Sequence, residues 1–161
     1  MTRRVEVRTG LTGYRCQLDR VRRFYDRVTQ RPEGAAYLID YQDDVQSFFM
    51  HCWHLKDWVK HDPLIDQPVK DRIKDAVHAS DVLKVANDLA TSAKHLEVNK
   101  SRAGAELSLM RLDASGELSL LDCIIEVNGA ERSAREVAAE CLQEWERILM
   151  AEGLPVERMG T

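Results

Sequence analysis

Between Tyr37 and His61 the chain runs for twenty-five residues without a glycine or a proline, and its apolar positions keep one rhythm. Leu38, Tyr41, Val45, Phe48, Cys52, Leu55 and Val59 follow one another at alternating steps of three and four. That period lines all seven along one face of an α-helix. A helix of this length reaches about 37 Å, the width of a small domain or more. The spacing therefore predicts a central helix over 37–61 that serves as the post of a helical bundle.

Four more helices are expected around it. Over 12–30, Tyr14, Leu18, Val21, Tyr25 and Val28 form one buried stripe, with Arg15–Asp19 and Arg22–Asp26 as opposite charges four residues apart. The run Arg31-Pro-Glu-Gly34 breaks that helix, and Asp62–Pro63 ends the central one, because a residue before proline is pushed out of the helical region. A third helix over 67–79 has Asp66 as its candidate N-cap and Val69, Ile73 and Val77 as its ridge. A fourth, from Ser80 or Asp81 to about 98, has the seam Val82, Ala86, Leu89, Ala93 and Leu96.

The pattern then changes period. Alternating apolar residues over 106–113 and 117–127, separated by Asp113-Ala-Ser-Gly116, read as a β-hairpin. Asn128–Gly129 marks a second turn into a short third extended piece. Ser133 and Glu136 have capping-box spacing and open a last helix to about 152, with the seam Val137, Cys141, Trp145 and Ile148. The fold expected is mainly α: a five-helix bundle in one domain over 1–161. A β-hairpin insertion at 104–130 precedes the last helix, and 1–10 and 154–161 are loose tails.

Net charge is −4, which excludes a polycation that coats nucleic acid, but residues 1–34 hold nine arginines against four acids, a balance of +5. Cys16, Cys52, Cys123 and Cys141 include no C-x-x-C pair and read as reduced, partly core thiols. No apolar run approaches the roughly 18 residues of a membrane span, and 1–10 lacks the apolar stretch of a secretory signal. A cytoplasmic protein is expected, with no cofactor and no metal motif.

Three groups of residues could carry function. On the central helix Ser47, His51, His54, Trp58 and His61 share one flank, suited to a partner or second-subunit interface. On the fourth helix Lys84, Asp88, Ser92 and His95 fall on one flank and Lys94 on the other, an acid, a hydroxyl and an imidazole of the kind used in general acid–base chemistry. On the first helix Arg20, Arg23 and Arg27 form a stripe with no acid in register, suited to a phosphate backbone.

The motifs His54-Leu-Lys-Asp-Trp58 and Asn87-Asp-Leu-Ala-Thr-Ser-Ala-Lys-His95, followed by a strand pair and a helix containing Trp145, resemble a group of uncharacterised bacterial proteins similar in organisation to HEPN domains. The resemblance covers roughly 37–150. It implies a small helical bundle, often dimeric, of the toxin–antitoxin and antiphage defence systems. Many such domains cut RNA without metal, using an arginine and a histidine separated by four to six residues. Here His95 has no arginine at that spacing, and Asp88 stands at its far limit. Arg72 and His78 have the spacing, yet diverge by about 120° on a continuous helix. The resemblance implies a HEPN-like accessory or effector protein acting through a homodimer or a protein partner. A ribonuclease version would use His95, with Asp88, His54 and Lys94 or Lys84 about it. The alternatives are a non-catalytic interaction module and a nucleic-acid-binding surface on the first helix, with RNA as a candidate partner.

Overall fold

A computed structural model describes residues 13–30, 38–94, 103–115 and 118–159. Five helices and one small antiparallel sheet lie within them: α1 Tyr14–Thr29, α2 Leu38–His61, α3 Gln67–Ala79, α4 Asp81–Lys94, β1 Ala105–Ser115, β2 Leu118–Val127, β3 Ala130–Ser133 and α5 Ala134–Ala151. The protein is mainly helical, with the sheet placed before the last helix as expected. The third extended piece is a true strand, so the hairpin is the larger part of a sheet ordered β1-β2-β3.

The seam of α2 is the core. Tyr41, Val45, Phe48, Cys52, Leu55 and Val59 are all buried, as is Phe49 beside them. Trp145 of α5 is fully buried, and its indole N–H donates to the Cys52 carbonyl at 3.0 Å. Burial pushes the thiol of Cys141 up strongly, with Cys52 adding to the effect, and burial takes Cys123 to about 12. Both stay protonated at neutral pH and act as small apolar groups.

The switch in apolar spacing from Leu107 to Met110 has a structural cause. The register pairs Leu107 with Ile125 and Met110 with Cys123, and shifts between Leu107 and Leu109. A β-bulge there absorbs one residue of β1, so the alternation changes phase while the pairing with β2 continues to Ser115. β2 and β3 then turn through Asn128 and Gly129, both with positive φ.

α1 and α2 run antiparallel and are joined at one end by a carboxylate. The Oδ2 of Asp62, just past the end of α2, accepts the Tyr14 N–H at 3.0 Å, and its Oδ1 accepts the Leu64 N–H at 2.9 Å. Asp62 is buried and supplies from across the chain the cap that α1 lacks at Gly13. Gly13 sits at φ +126, and a Cβ there would lie 3.0 Å from the same Oδ2. An anionic acceptor at a helix N-terminus meets both the free N–H groups and the positive end of the dipole. Asp62→Ala is therefore expected to destabilise the fold by about 2 kcal/mol in urea unfolding. A loss below about 0.5 kcal/mol would show the cap to be dispensable.

Several local expectations differ from what forms. Ser133 and Asp66 occupy the N-cap positions of α5 and α3, but neither side chain makes a capping hydrogen bond. Arg22 does not take Asp26. It reaches Asp19 at 3.3 Å and Glu146 of α5 at 2.7 Å, tying two helices together. Of the loose tail expected over 154–161, Pro155, Arg158 and Met159 are bonded to α1, and 160–161 fall outside the described residues. The Tyr14 hydroxyl donates to the Pro155 carbonyl at 2.6 Å, Arg158 pairs with Asp26 at 3.0 Å, and the Met159 N–H donates to Asp19 at 3.0 Å. Residues 1–10 fall outside the described residues. No helix of the described chain is long and apolar enough to cross a membrane.

Candidate functional site

The antiparallel pairing of α1 and α2 merges two of the three groups picked out above. Arg20, Arg23 and Arg27 descend one side of α1, and His51, His54 and Trp58 climb the neighbouring side of α2. At the centre is Gln17, which is buried. Its amide nitrogen donates to the His51 carbonyl at 2.9 Å and approaches the His51 Nδ1 at 3.3 Å, while its oxygen accepts from Arg20 at 2.8 Å. One side chain thus fixes a guanidinium and an imidazole together. It favours the neutral His51 tautomer with its proton on Nε2, since Nδ1 faces an amide donor.

Aromatic rings support the cations. The Arg20 guanidinium lies 5.5 Å from the Trp58 ring centroid, and that of Arg27 lies 4.9 Å from Phe24. Phe24 in turn stacks on His51 at 4.9 Å with 21° between the planes. Phe24 and Trp58 are half-buried, so each ring is anchored in the core and carries a flat cation outward. Asp44 is the acid that answers Arg27, at 3.8 Å. Arg23 is exposed and forms no ion pair among the described residues.

His51 is held below the ordinary imidazole range, first by burial and then by the charges of Arg20, His54 and Arg23. The unfolded chain, with a value near 6.5, takes up that proton first. Stability due to the neutral ring is complete above pH 6.5 and is lost as the pH falls through the lower folded value. The urea midpoint is expected to drop as the pH falls below about 6.5. It should drop less in His51→Gln. Parallel curves for the two proteins would remove His51 from the pH response.

The other candidates lie elsewhere. Asp88 is not on a solvated flank: it is fully buried, and its Oδ2 accepts the N–H groups of Ala103 and Ala105 at 2.7 and 3.3 Å. It anchors the entry to β1, which removes a free carboxylate from the proposed acid–base set. Ser92 is half-buried and donates to the Leu89 carbonyl on its own helix at 3.0 Å. Lys84 pairs with Asp81 at 3.0 Å. Lys94 ends α4 with its side chain outside the described residues, and His95 lies outside them altogether. Ser47 is half-buried and His61 exposed on α2. Arg72 and His78 do not converge. Arg72 forks onto Glu152 at 2.8 and 2.9 Å, and His78 meets the Trp53 ring edge-on at 6.2 Å. Among the described residues, no three His, Cys, Asp or Glu side chains gather as a metal-ligand set.

Sequence reasoning missed Gln17 and Phe24. Their signal was present: Gln17 and Phe24 are seven apart, one position before Leu18 and Tyr25, and so form a second row flanking the buried stripe. Comparisons with protein-family models, with curated proteins and with solved structures give no match for this chain.

Proposed function

We propose that this protein binds nucleic acid, single-stranded RNA first among the candidates, through the face shared by α1 and α2. The observation that carries the reading is the arrangement of guanidinium groups on aromatic rings. Arg20 over Trp58 and Arg27 over Phe24 present flat cationic tiles. Unpaired bases stack on such surfaces, and the adjacent phosphates take the positive charge. Arg23 lies between them on α1 with its charge uncommitted. The chain as a whole carries −4, so the reading rests on this local strip and not on bulk positive charge.

His51 adds a proton-linked element. A phosphate beside it would favour the charged ring that burial and the arginines now disfavour. The test is retardation of a labelled single strand by the wild type and by an arginine-stripped variant, with EDTA present so that the same gel reports metal-independent cleavage.

The ribonuclease version keeps His95 as its general acid–base, without Asp88 as companion. The assignment to a HEPN-like effector of a bacterial conflict system, acting as a homodimer or with a protein partner, is a proposal supported by motif order and by the helical fold alone.

A further inference from the structure

The flank of α2 that turns away from α1 carries a second cationic site. A cleft of about 240 Å³ opens there between α2 and α3. Its floor is apolar: Val59, Ile73 and Val77 are buried. Its walls hold Lys56 and Lys60 from α2 and Lys70 and Lys74 from α3, each pair one helical turn apart. At about 100° per residue, Lys60 is roughly opposite His51 on α2, so this cleft and the α1–α2 face are separate surfaces.

Ion pairing accounts for one of the four lysines. Lys56 pairs with its neighbour Asp57 at 2.9 Å and lies 5.0 Å from the Trp53 ring centroid. The other carboxylate of the cleft, Asp71, accepts from Gln67 at 2.8 Å. Lys60, Lys70 and Lys74 form no ion pair among the described residues. Four ammonium groups against two carboxylates leave the cleft positive by two. Like charges four residues apart on a helix disfavour each other, and here two such pairs border the same small space. A multiply charged anion between them would relieve both. The apolar floor gives room for an uncharged body beside that anion.

We propose that this cleft binds a small ligand of the diphosphate class, its phosphate oxygens held by Lys60, Lys70 and Lys74. Inorganic pyrophosphate and a nucleoside diphosphate share that chemistry, and only the second has an uncharged body to fit between the lysine stems above the buried Val59 and Ile73. The site is independent of the RNA reading, and its test keeps the two apart. Thermal unfolding of the full chain is followed with millimolar pyrophosphate, ADP or sulfate at matched ionic strength. Wild type, Lys60→Ala/Lys74→Ala and Arg20→Ala/Arg23→Ala are compared. Both lysines are exposed, so their removal leaves the core intact.

The expected result is a rise in Tm with pyrophosphate or ADP in the wild type and in the arginine variant. The lysine variant should bind at least about tenfold more weakly. Tighter binding of ADP than of pyrophosphate assigns the apolar floor to the nucleoside, and equal binding assigns the site to the diphosphate alone. The proposal is overturned by no shift in the wild type, by an equal shift with sulfate, or by a wild-type response in the lysine variant. Loss of response in the arginine variant also overturns it, by placing the ligand on the α1–α2 face.

Discussion

Trp145→Ala is expected to destabilise the protein by about 4 kcal/mol, the largest effect of any single truncation in the core. Trp145 is among the largest fully buried side chains, and it fills the space between α5 and the middle of α2. Truncation leaves a void that close-packed neighbours collapse into only partly. It also removes the N–H that satisfies the Cys52 carbonyl, a smaller loss because that carbonyl keeps its place in the helical ladder. For a chain of this size the change corresponds to a Tm lower by about 8–16 °C. Trp145→Phe keeps most of the ring volume and should lose only about 1–2 kcal/mol. Urea unfolding of both variants measures this. A loss under about 1 kcal/mol for Trp145→Ala would mean that the bundle does not close on this side chain.

The second large effect concerns binding. Arg20→Ala/Arg23→Ala/Arg27→Ala should weaken association with a labelled single-stranded RNA by about 100-fold at low salt. The diagnostic quantity is the salt slope. Each phosphate that is no longer neutralised should reduce the dependence of log affinity on log salt by about 0.7, so three phosphates give about 2. Trp58→Ala should weaken binding with little change in slope, because stacking releases no counterions. The variants leave the apolar stripe of α1 in place, so a folded protein is expected and circular dichroism checks it. Unchanged affinity and slope in the triple variant would overturn the nucleic-acid reading and leave a protein-interaction surface in its place.

How far the sequence could be read depended on the range of the interaction. The helices were legible because one periodicity repeats over many turns: the Tyr41–Val59 seam of α2 and the Val137–Ile148 seam of α5 are buried as their spacing requires. The sheet was legible too, and even its bulge left a trace in the broken alternation at Leu107 to Met110. Polar partnerships were not. Asp88 reads as one more acid on a helix flank, and only the return of the chain at Ala103 makes it a buried anchor. Asp62 looks like a helix stop before proline, yet it also caps a helix forty-eight positions earlier. The site was half legible. Each of its stripes is visible on its own helix, but antiparallel pairing of α1 with α2 brings Arg20 onto Trp58 and His51 under Phe24. That pairing is a tertiary fact with no local signature.

The segment after α5 has a bearing on the electrical character of the opposite end of the chain. The arginine stripe has no acid in its own row, but Asp19, four residues before Arg23, and Asp26, three after it, lie in the neighbouring row within reach of that arginine. In the folded protein both are engaged from outside: Arg158 takes Asp26, the Met159 N–H takes Asp19, and Arg22 also leans on Asp19. Arg158 and Met159 thereby occupy two acids within reach of Arg23. The positive potential of α1 is set jointly by its own residues and by a stretch more than a hundred positions away. Loss of the Arg158 guanidinium would retune the surface without touching any residue in it.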